Sequence, residues 1–267
     1  MRPLIELPAE ILQQIDVVLV DIDGTLTCNG RVPAIAYTAL EKLRSCGLKV
    51  VPVTGRPAGW CDHIARMWPV DAVVGENGAF YFRYLTGQHK MERRYREDEA
   101  TRRQNRERLT TLADTILTTI PGAGIAADQA YRETDLAIDF CEDVPPLSMD
   151  QVQKIAEMFA QVGAHAKISS IHVNGWFGRY DKLAMTRVLF RKAFNLELDE
   201  NKEKVIFVGD SPNDAPLFAY FPHAVGVANV ARFIDRLPAE PAWVTRQEGG
   251  KGFAELADAI IHAKQDR

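Results

Sequence analysis

Short apolar runs alternate with amphipathic helical patterns over much of the chain, and this alternation predicts βαβ units with a parallel sheet. Residues 17–20 are continuously apolar between two aspartates, as expected of a strand that is covered on both faces. A helix is predicted over residues 33–46, and Gly47 then suits the left-handed conformation that commonly ends a helix. A second strand is predicted over residues 48–53, and it stops at Thr54.

The pattern changes after residue 80, where three strand-like runs and two amphipathic helices indicate an α+β unit. The runs lie at 80–85, 135–140 and 166–173, and the helices at 98–119 and 148–162. The parallel pattern resumes with a helix at 182–194 and a strand at 204–208, and a final helix is predicted at 253–263.

The predicted fold class is therefore α/β, a doubly wound parallel sheet with an inserted α+β cap domain. The predicted core is formed by residues 1–80 and 177–267, and the cap by residues 81–176. A chain of 267 residues is long enough for this arrangement.

Composition narrows the function class. Hydrophobic residues make up 46% and charged residues 25% of the chain, and the net charge is −4, so nothing indicates a nucleic-acid partner. The first residues lack the layout of a secretory signal and no apolar run reaches 18 residues, so we expect a cytoplasmic protein without a membrane partner. The cysteines lack zinc-ligand spacing, and free thiols are expected at Cys28, Cys46, Cys61 and Cys141.

The strongest chemical signal is the stretch DIDGT at residues 21–25. Asp21 and Asp23 follow a buried strand, at the sheet edge where open α/β folds bind ligands. Alternate residues of an extended chain point the same way, so both carboxylates could face one cavity. Buried like charges are costly unless a cation or proton holds them, and this arrangement predicts a hard divalent metal.

A second acidic loop, VGDSPND, follows another apolar strand much later in the chain. If the two strands are neighbours, Asp210 lies opposite Asp21 and completes an oxygen-rich magnesium site. Taken alone, this loop could be an Asx turn that caps a helix at Asn213.

Two further elements suit a phosphate group. Thr54 and Gly55 end the second strand and offer a hydroxyl and backbone N–H groups at a helix N-terminus. Lys182 opens the helix after the insertion and can supply a point charge. Each element is weak alone, but the order of all four is specific.

In this order, DIDGT, VTGR, Lys182 and VGDSPND resemble the motifs of the haloacid dehalogenase superfamily of phosphotransferases. The insertion, and the stretch ENGA at 76–79 before it, resemble those of the Cof-type and sugar-phosphatase subgroups. The resemblance implies a phosphoric monoester hydrolase that uses Mg²⁺ and acts on a small phosphorylated metabolite, with a sugar phosphate as the favoured class. A sugar-phosphate mutase and a non-catalytic sugar-phosphate sensor are the alternatives.

The resemblance also implies roles for single residues. Asp21 would be the nucleophile that becomes phosphorylated, and Asp23 the general acid and base. The metal would be held by Asp21, the Asp23 carbonyl and Asp210, with support from Asp214. The phosphoryl group would be held by the remaining motif residues Thr54, Gly55, Lys182 and Asn213.

Substrate discrimination is expected from the cap, because the core motifs can bind any phosphoryl group. His172, Asn174 and Trp176 lie where the predicted cap returns to the core, and with Arg56 they are the candidate substrate residues. Interdomain packing of Trp176 and a purely structural His172 are the alternative. The sequence does not identify the substrate or the oligomeric state.

Overall fold

The computed structural model describes residues 1–169 and 171–265. The strands, in chain order, are β1 (Arg2–Pro3), β2 (Val17–Val20), β3 (Lys49–Pro52), β4 (Val73–Gly75), β5 (Phe80–Leu85), β6 (Lys90–Tyr95), β7 (Gly124–Ile125), β8 (Asp135–Asp139), β9 (His165–Ile168), β10 (His172–Trp176), β11 (Val205–Gly209), β12 (Val225–Gly226) and β13 (Trp243–Val244). The α-helices are α1 (Ala9–Gln14), α2 (Ala34–Ser45), α3 (Ala58–Met67), α4 (Glu99–Thr119), α5 (Met149–Gln161), α6 (Lys182–Leu189), α7 (Leu198–Asn201), α8 (Ala215–Tyr220) and α9 (Gly249–Gln265).

The largest sheet of the described residues has six strands in the order β1, β13, β12, β11, β2, β3, and every neighbouring pair is parallel. The two strands that precede the acidic loops, β2 and β11, are therefore direct neighbours. Val20 of β2 is level with Val208 of β11 and with Pro52 of β3. The carboxyl ends of three strands thus lie at one edge, where the predicted motifs follow.

The main sheet is buried on both faces, which explains why its central strands are continuously apolar. Val17 and Leu19 pack into a cluster with residues of α6 and α8, such as Leu189 and Leu217. The alternate residue Val18 is fully buried as well. The predicted doubly wound α/β fold is confirmed.

A smaller sheet in the order β4, β5, β6 adjoins the main one. Val74 of β4 forms a parallel bridge with Val53, directly after β3. The chain then turns and β5 runs antiparallel to β4. This extension belongs to the part of the chain that precedes the longer helices of the insertion.

The insertion contains an antiparallel sheet in the order β7, β8, β10, β9. Its apolar face packs against α4 and α5, and the cluster includes Leu112, Ile138, Phe159 and Val173. Asp98 caps α4 by accepting from Thr101 N–H, and Ser148 and Gln151 form a capping box at α5.

One predicted strand, residues 166–173, is wrong. It spans residue 170, outside the described residues, and the chain around it forms two strands, β9 and β10, that pair antiparallel. The Ser169 hydroxyl oxygen accepts from the N–H of His172 at 2.9 Å and of Ile171 at 3.3 Å. A serine side chain that binds its own following backbone favours a turn over a continuous strand.

Two predicted helices also differ from the structure. The helix predicted at 182–194 is α-helical only over α6 and continues as a π-helical turn, Phe190–Phe194, which ends at a left-handed Asn195 with φ of 54°. The final helix begins at Gly249, four residues before the predicted start at 253.

By internal contacts the chain divides into two compact units. The first comprises Met1–Gly55, Cys61–Arg94 and Asp181–Arg267, and the second comprises Arg56–Trp60 and Tyr95–Tyr180. Residues 81–94, which the sequence analysis assigned to the cap, group with the first unit because β5 and β6 extend from β4. Among the described residues, no helix combines the length and the apolar character needed to span a bilayer. The cytoplasmic location stays a prediction.

Candidate active site

The loop after β2 carries the first acidic pair at the carboxyl edge of the main sheet. The Asp21 N–H donates to the Val208 carbonyl (2.9 Å), so strand pairing continues up to the first aspartate. Asp21 is buried and Asp23 is half-buried. At Gly24 φ is +79°, and a Cβ there would lie 2.3 Å from Asp210 Oδ2. Only glycine therefore fits at this turn.

Lys182 opens α6 and places its ammonium group between two carboxylates. Its Nζ donates to Asp21 Oδ1 and to Asp214 Oδ1, each at 2.8 Å. The helix start is fixed by Asp181, whose side chain accepts from Ala184 N–H at 2.7 Å. Burial disfavours the charge on Lys182, but the two carboxylates outweigh this effect and raise its pKa. Lys182 is therefore a fixed positive charge.

The loop after β11 holds Asp210 and Asp214 by hydrogen bonds within the loop itself. Asp214 Oδ2 accepts from the N–H of Asp210 (3.1 Å) and of Ser211 (3.3 Å). Gly209 makes room for this arrangement, since a Cβ there would lie 2.4 Å from Asp214 Oδ2. Both carboxylates are buried, and Asp214 Oδ1 accepts from Lys182 of α6 while Asp210 Oδ1 accepts from Thr25 of the loop after β2.

The residues fit a divalent cation. Asp21, Asp210 and Asp214 each offer a carboxylate oxygen, and these atoms lie within 4.8 Å of one another. Burial raises the pKa of Asp21 to about 7 although Lys182 opposes it, and burial together with the charges of Asp21 and Asp214 raises the pKa of Asp210 to about 8. Buried like charges are costly unless a cation holds them, and an all-oxygen site suits a hard ion such as Mg²⁺.

Thr54 and Gly55 lie at the same sheet edge, after β3. The buried Thr54 donates its N–H to the Val74 carbonyl (2.9 Å), and its own carbonyl accepts from Asn77 N–H (3.1 Å). A Cβ at Gly55 would lie 3.2 Å from Asn77 Oδ1. The residues that follow β4 therefore contact the loop that is predicted to bind phosphate.

The turn after β4 has three successive residues with positive φ: Glu76 (42°), Asn77 (57°) and Gly78 (101°). A Cβ at Gly78 would lie 2.0 Å from the carbonyl oxygen of Asp181 and 2.8 Å from the nitrogen of Lys182. Close approach of this turn to the start of α6 thus requires a residue without a side chain. The same turn supports both the Thr54 loop and Lys182.

Two predicted site residues stand outside the carboxylate cluster. Asp23 is not one of the three clustered acids, and it is half-buried. Asn213 lies in the 3-10 turn Pro212–Asp214 and is half-buried too. Each lies in a loop that also carries a clustered acid: Asp23 is two residues after Asp21, and Asn213 directly precedes Asp214.

The sequence analysis missed Asn229. This residue is buried, and its Nδ2 donates to Asp210 Oδ2 (2.8 Å) and to the Gly24 carbonyl (3.0 Å). Its Oδ1 accepts from Gly249 N–H at 3.0 Å. Asn229 follows the short parallel strand β12, and the rule that carboxyl ends of parallel strands share one edge could have identified it.

The remaining candidates, His172, Asn174 and Trp176, belong to the second unit. They alternate along β10, so they share the face of the sheet opposite to the apolar cluster around Val173. Asn174 Nδ2 donates to Asp135 Oδ2 at 3.3 Å. His172 Nε2 lies 2.9 Å from Glu142 Oε2. All three are buried, so these strand residues form a polar interior face.

Trp176 and Arg56 differ in how far their polar groups are satisfied. The Trp176 indole stacks on Tyr180 with ring centres 5.9 Å apart, and its buried Nε1 has no hydrogen-bond partner among the described residues. Arg56 lies over the Trp60 ring at 4.5 Å and 3.8 Å from Asp128. These contacts all lie within the second unit.

Known proteins resemble the chain over most of its length. A model of the haloacid dehalogenase-like hydrolases matches residues 18–105. The phosphoglycolate phosphatase of Methanobrevibacter smithii is 26% identical over 255 residues, which cover 92% of this chain and 99% of that protein.

Solved structures resemble the chain in fold. A Thermoplasma acidophilum structure has a TM-score of 0.70 at 17% identity and covers 92% of this chain and 98% of its own. The Synechocystis sucrose-phosphatase, solved with sucrose and phosphate, has a TM-score of 0.63 at 16% identity, with 94% and 98% covered. The matched region includes Asp21, Asp23 and Thr54, so these residues of the candidate site lie in the part of the chain that is similar to haloacid dehalogenase-like hydrolases, and the full-length relatives are named as phosphatases.

Proposed function

We propose that this protein is a Mg²⁺-dependent phosphatase that hydrolyses a small phosphorylated metabolite through an aspartyl-phosphate on Asp21. One observation carries the proposal: the Lys182 ammonium lies 2.8 Å from both Asp21 and Asp214, and Asp210 completes an oxygen cluster beside them. A buried carboxylate that has both a fixed cation and a metal-type oxygen cluster beside it is suited to attack an anionic phosphate ester.

The first step transfers the phosphoryl group to the enzyme. A carboxylate oxygen of Asp21 attacks phosphorus, and the bond to the leaving-group oxygen breaks. Asp23 donates a proton to that oxygen, so the leaving group departs as a neutral alcohol. The half-buried position of Asp23 leaves it accessible for this exchange.

The second step hydrolyses the aspartyl-phosphate. Asp23, now ionised, accepts a proton from a water molecule whose oxygen attacks phosphorus. The bond between phosphorus and the Asp21 oxygen breaks, which restores the Asp21 carboxylate and releases inorganic phosphate. In both steps Lys182 holds the nucleophile and neutralises phosphoryl charge. Mg²⁺, held by Asp21, Asp210, the Asp23 carbonyl and Asp214, would supply further charge neutralisation.

The phosphoryl oxygens would also contact the loop after β3. The Thr54 hydroxyl and the backbone N–H of Gly55 are the donors proposed there, with Asn213 on the opposite loop. Hydrogen-bond donors held in place before the reaction stabilise developing charge without reorganisation. The support of Gly55 by Asn77 is consistent with such a rigid donor.

A sugar phosphate is the substrate class that we propose. On the polar face of the second unit, the Arg132 guanidinium is held by Asp128 and Asp135 at 2.8–3.0 Å, so it is not available to bind a carboxylate. The amide of Asn174 is a neutral group that suits hydroxyl oxygens, and so is the indole N–H of Trp176, which has no partner within residues 1–169 and 171–265. The resemblance to a sucrose-phosphatase agrees with this choice.

Phosphoglycolate is the second candidate, because the archaeal relatives bear the name phosphoglycolate phosphatase. Lys167 of β9 pairs in register with Asn174 of β10, so it lies on the same polar face of the sheet. Its ammonium group would suit the carboxylate of a short phosphorylated acid.

The test is release of inorganic phosphate from a panel of sugar phosphates, polyol phosphates, nucleotides and 2-phosphoglycolate. We expect release with Mg²⁺, none after EDTA, and recovery when Mg²⁺ is returned. Full activity in chelator would contradict the metal assignment.

A mutase would need a bisphosphate activator and conserve total ester phosphate. Lys167→Met should lower kcat/KM for 2-phosphoglycolate only if the second candidate is correct.

A further inference from the structure

We infer that Asn229 is a positioning residue that orients Asp210 for Mg²⁺ and holds the nucleophile loop against it. The inference rests on the proposed function, because it takes Asp210 to be a Mg²⁺ ligand. Asn229 itself lies outside the four sequence motifs. It concerns residues of the first unit only.

The Asn229 carboxamide joins three segments that are far apart in sequence. Nδ2 donates to Asp210 Oδ2 at 2.8 Å and to the Gly24 carbonyl at 3.0 Å, while Oδ1 accepts from Gly249 N–H at 3.0 Å. Both amide protons and the carbonyl oxygen therefore have partners, so the side chain is fixed in one orientation.

This contact determines how Asp210 can present its oxygens. Oδ2 accepts from Asn229, and Oδ1 accepts from Thr25 Oγ1 at 3.3 Å. With one neutral donor on each oxygen, the carboxylate cannot rotate without losing a buried hydrogen bond. The remaining lone pairs of the Asp210 carboxylate are available to a cation. One Asp210 oxygen lies within 4.8 Å of carboxylate oxygens of Asp21 and Asp214.

The third partner of Asn229 lies where α9 packs against the nucleophile loop. A Cβ at Gly249, whose φ is +52°, would lie 2.5 Å from the Thr27 carbonyl oxygen, and a Cβ at Gly250 would lie 2.6 Å from that of Leu26. Two glycines thus allow the helix start to touch the backbone of the loop. Asn229 therefore fixes Asp210 relative to a loop that is itself held by α9.

Residues that hydrogen-bond to metal ligands affect metal affinity and activity. Mutation of such a partner typically lowers metal affinity or activity by about 10–100-fold. Asn229→Leu is the sharpest variant, because it keeps a similar volume and adds no charge but removes both donated hydrogen bonds. Asn229→Ala removes all three contacts.

The experiment measures Mg²⁺ binding without substrate, from the rise of Tm with MgCl2 concentration. We expect the Mg²⁺ midpoint of both Asn229 variants to be about 10–100-fold higher than that of the wild type. Asn201→Ala is the matched control, since Asn201 Nδ2 donates to the Glu197 carbonyl (2.8 Å) outside the site. Its midpoint should equal that of the wild type.

Kinetics then separate positioning from general stability. We expect kcat of Asn229→Leu to recover at high Mg²⁺, with KM for the phosphate ester changed by less than about twofold. A merely structural residue would lower Tm equally at every Mg²⁺ concentration and leave the midpoint unchanged, and that result would overturn the inference. If Asn229→Ala does not fold, Asn229→Leu, which keeps the volume, decides alone.

Failure of the proposed function would look different. If the wild type released no phosphate but its Mg²⁺ midpoint still depended on Asn229, the phosphatase proposal would fail and the positioning role would stand. If phosphate were released and the midpoint did not depend on Asn229, the positioning role alone would fail. A wild-type Tm that does not respond to Mg²⁺ would also overturn it.

Discussion

Asp21 and Asp23 lie two residues apart but in different surroundings. Asp21 is buried beside Lys182 at 2.8 Å, and Asp23 is half-buried without a place in the carboxylate cluster. Environments that differ in this way let two carboxylates perform different tasks in one reaction. The buried one suits attack and the accessible one suits proton exchange.

Replacing the nucleophile should abolish turnover and preserve the fold. In Asp21→Asn, phosphate release should fall to background, because an amide does not attack the ester. The metal-free protein should be no less stable in urea, because one of three buried negative charges is removed while Lys182 keeps Asp214 as its partner. Phosphate release at a measurable fraction of the wild-type rate would exclude covalent catalysis at Asp21.

Replacing the proposed acid and base should have a smaller effect. Asp23→Asn should lower kcat by ~10²–10⁴-fold, the typical contribution of general acid–base catalysis. Because both steps use this group, phosphorylated enzyme should persist after rapid quenching with a good leaving group such as p-nitrophenol. An unchanged kcat would remove Asp23 from the mechanism, and the fold should be checked by circular dichroism.

At the scale of elements, the turn after β4 connects two of the motifs. Thr54 accepts from Asn77 on one side, and Gly78 lies against the first residues of α6 on the other. Positive φ at Glu76 and Asn77 is costly for residues with side chains, and such strain persists only where surrounding contacts enforce it. Contacts of this turn therefore help to fix the position of Lys182 at the start of α6.

A methyl group at Gly78 should damage this arrangement. Gly78→Ala would combine the cost of a left-handed alanine with a clash against the Asp181 backbone, and we expect a loss of about 3 kcal/mol or more in the free energy of unfolding. Gly47→Ala is the matched control, since φ is +85° with nothing within 4 Å, and only about 1–2 kcal/mol should be lost. Urea denaturation measures both. Equal losses would show that packing against α6 contributes nothing.

Elements with a strong local signal were predicted from the sequence, and those fixed by distant contacts were not. β2 and β11 are buried apolar runs, and the structure has them as neighbours. The hairpin of β9 and β10 depends on the Ser169 side chain, which a periodicity argument does not consider. The start of α9 at Gly249 depends on contact with Thr27, which lies more than 200 residues away.

The candidate site shows the same division. Asp21, Lys182, Asp210 and Asp214 stand in motifs whose spacing points to one chemistry, and the structure brings them together. Asn229 carries no such signal, because an isolated asparagine after a two-residue strand resembles any turn residue. Its contacts can be recognised only once the strand order is known.

At the scale of the whole molecule, the two units have separate apolar clusters. The first is built around the main sheet and the second around α4, α5 and the sheet of β10. Phe159 of α5 occupies the space beside Gly175, where a Cβ would lie 2.1 Å from its ring. The strand that carries His172, Asn174 and Trp176 is thus held by a cluster of its own.

Substitutions in the polar face of β10 should therefore change substrate preference without abolishing hydrolysis of the phosphate ester. Asn174→Ala and Trp176→Ala should alter relative kcat/KM among sugar phosphates, because these side chains are the ones proposed to bind the leaving group. Both should still hydrolyse p-nitrophenyl phosphate, which uses only the motifs of the first unit. Asn201→Ala again provides a control. Unchanged relative kcat/KM for both variants would leave these residues a packing role.

The position of β2 between β3 and β11 has a consequence for synthesis of the chain on the ribosome. Asp21 is made before Asp210, whose carboxylate lies in the same cluster, and before Asn229, whose side chain binds Asp210. A nascent chain can pair β2 with β3 at once, yet it lacks the strand and the loops that complete the carboxylate cluster. The carboxylate cluster therefore forms only after residue 214 has been made, and shorter nascent chains lack the complete candidate site.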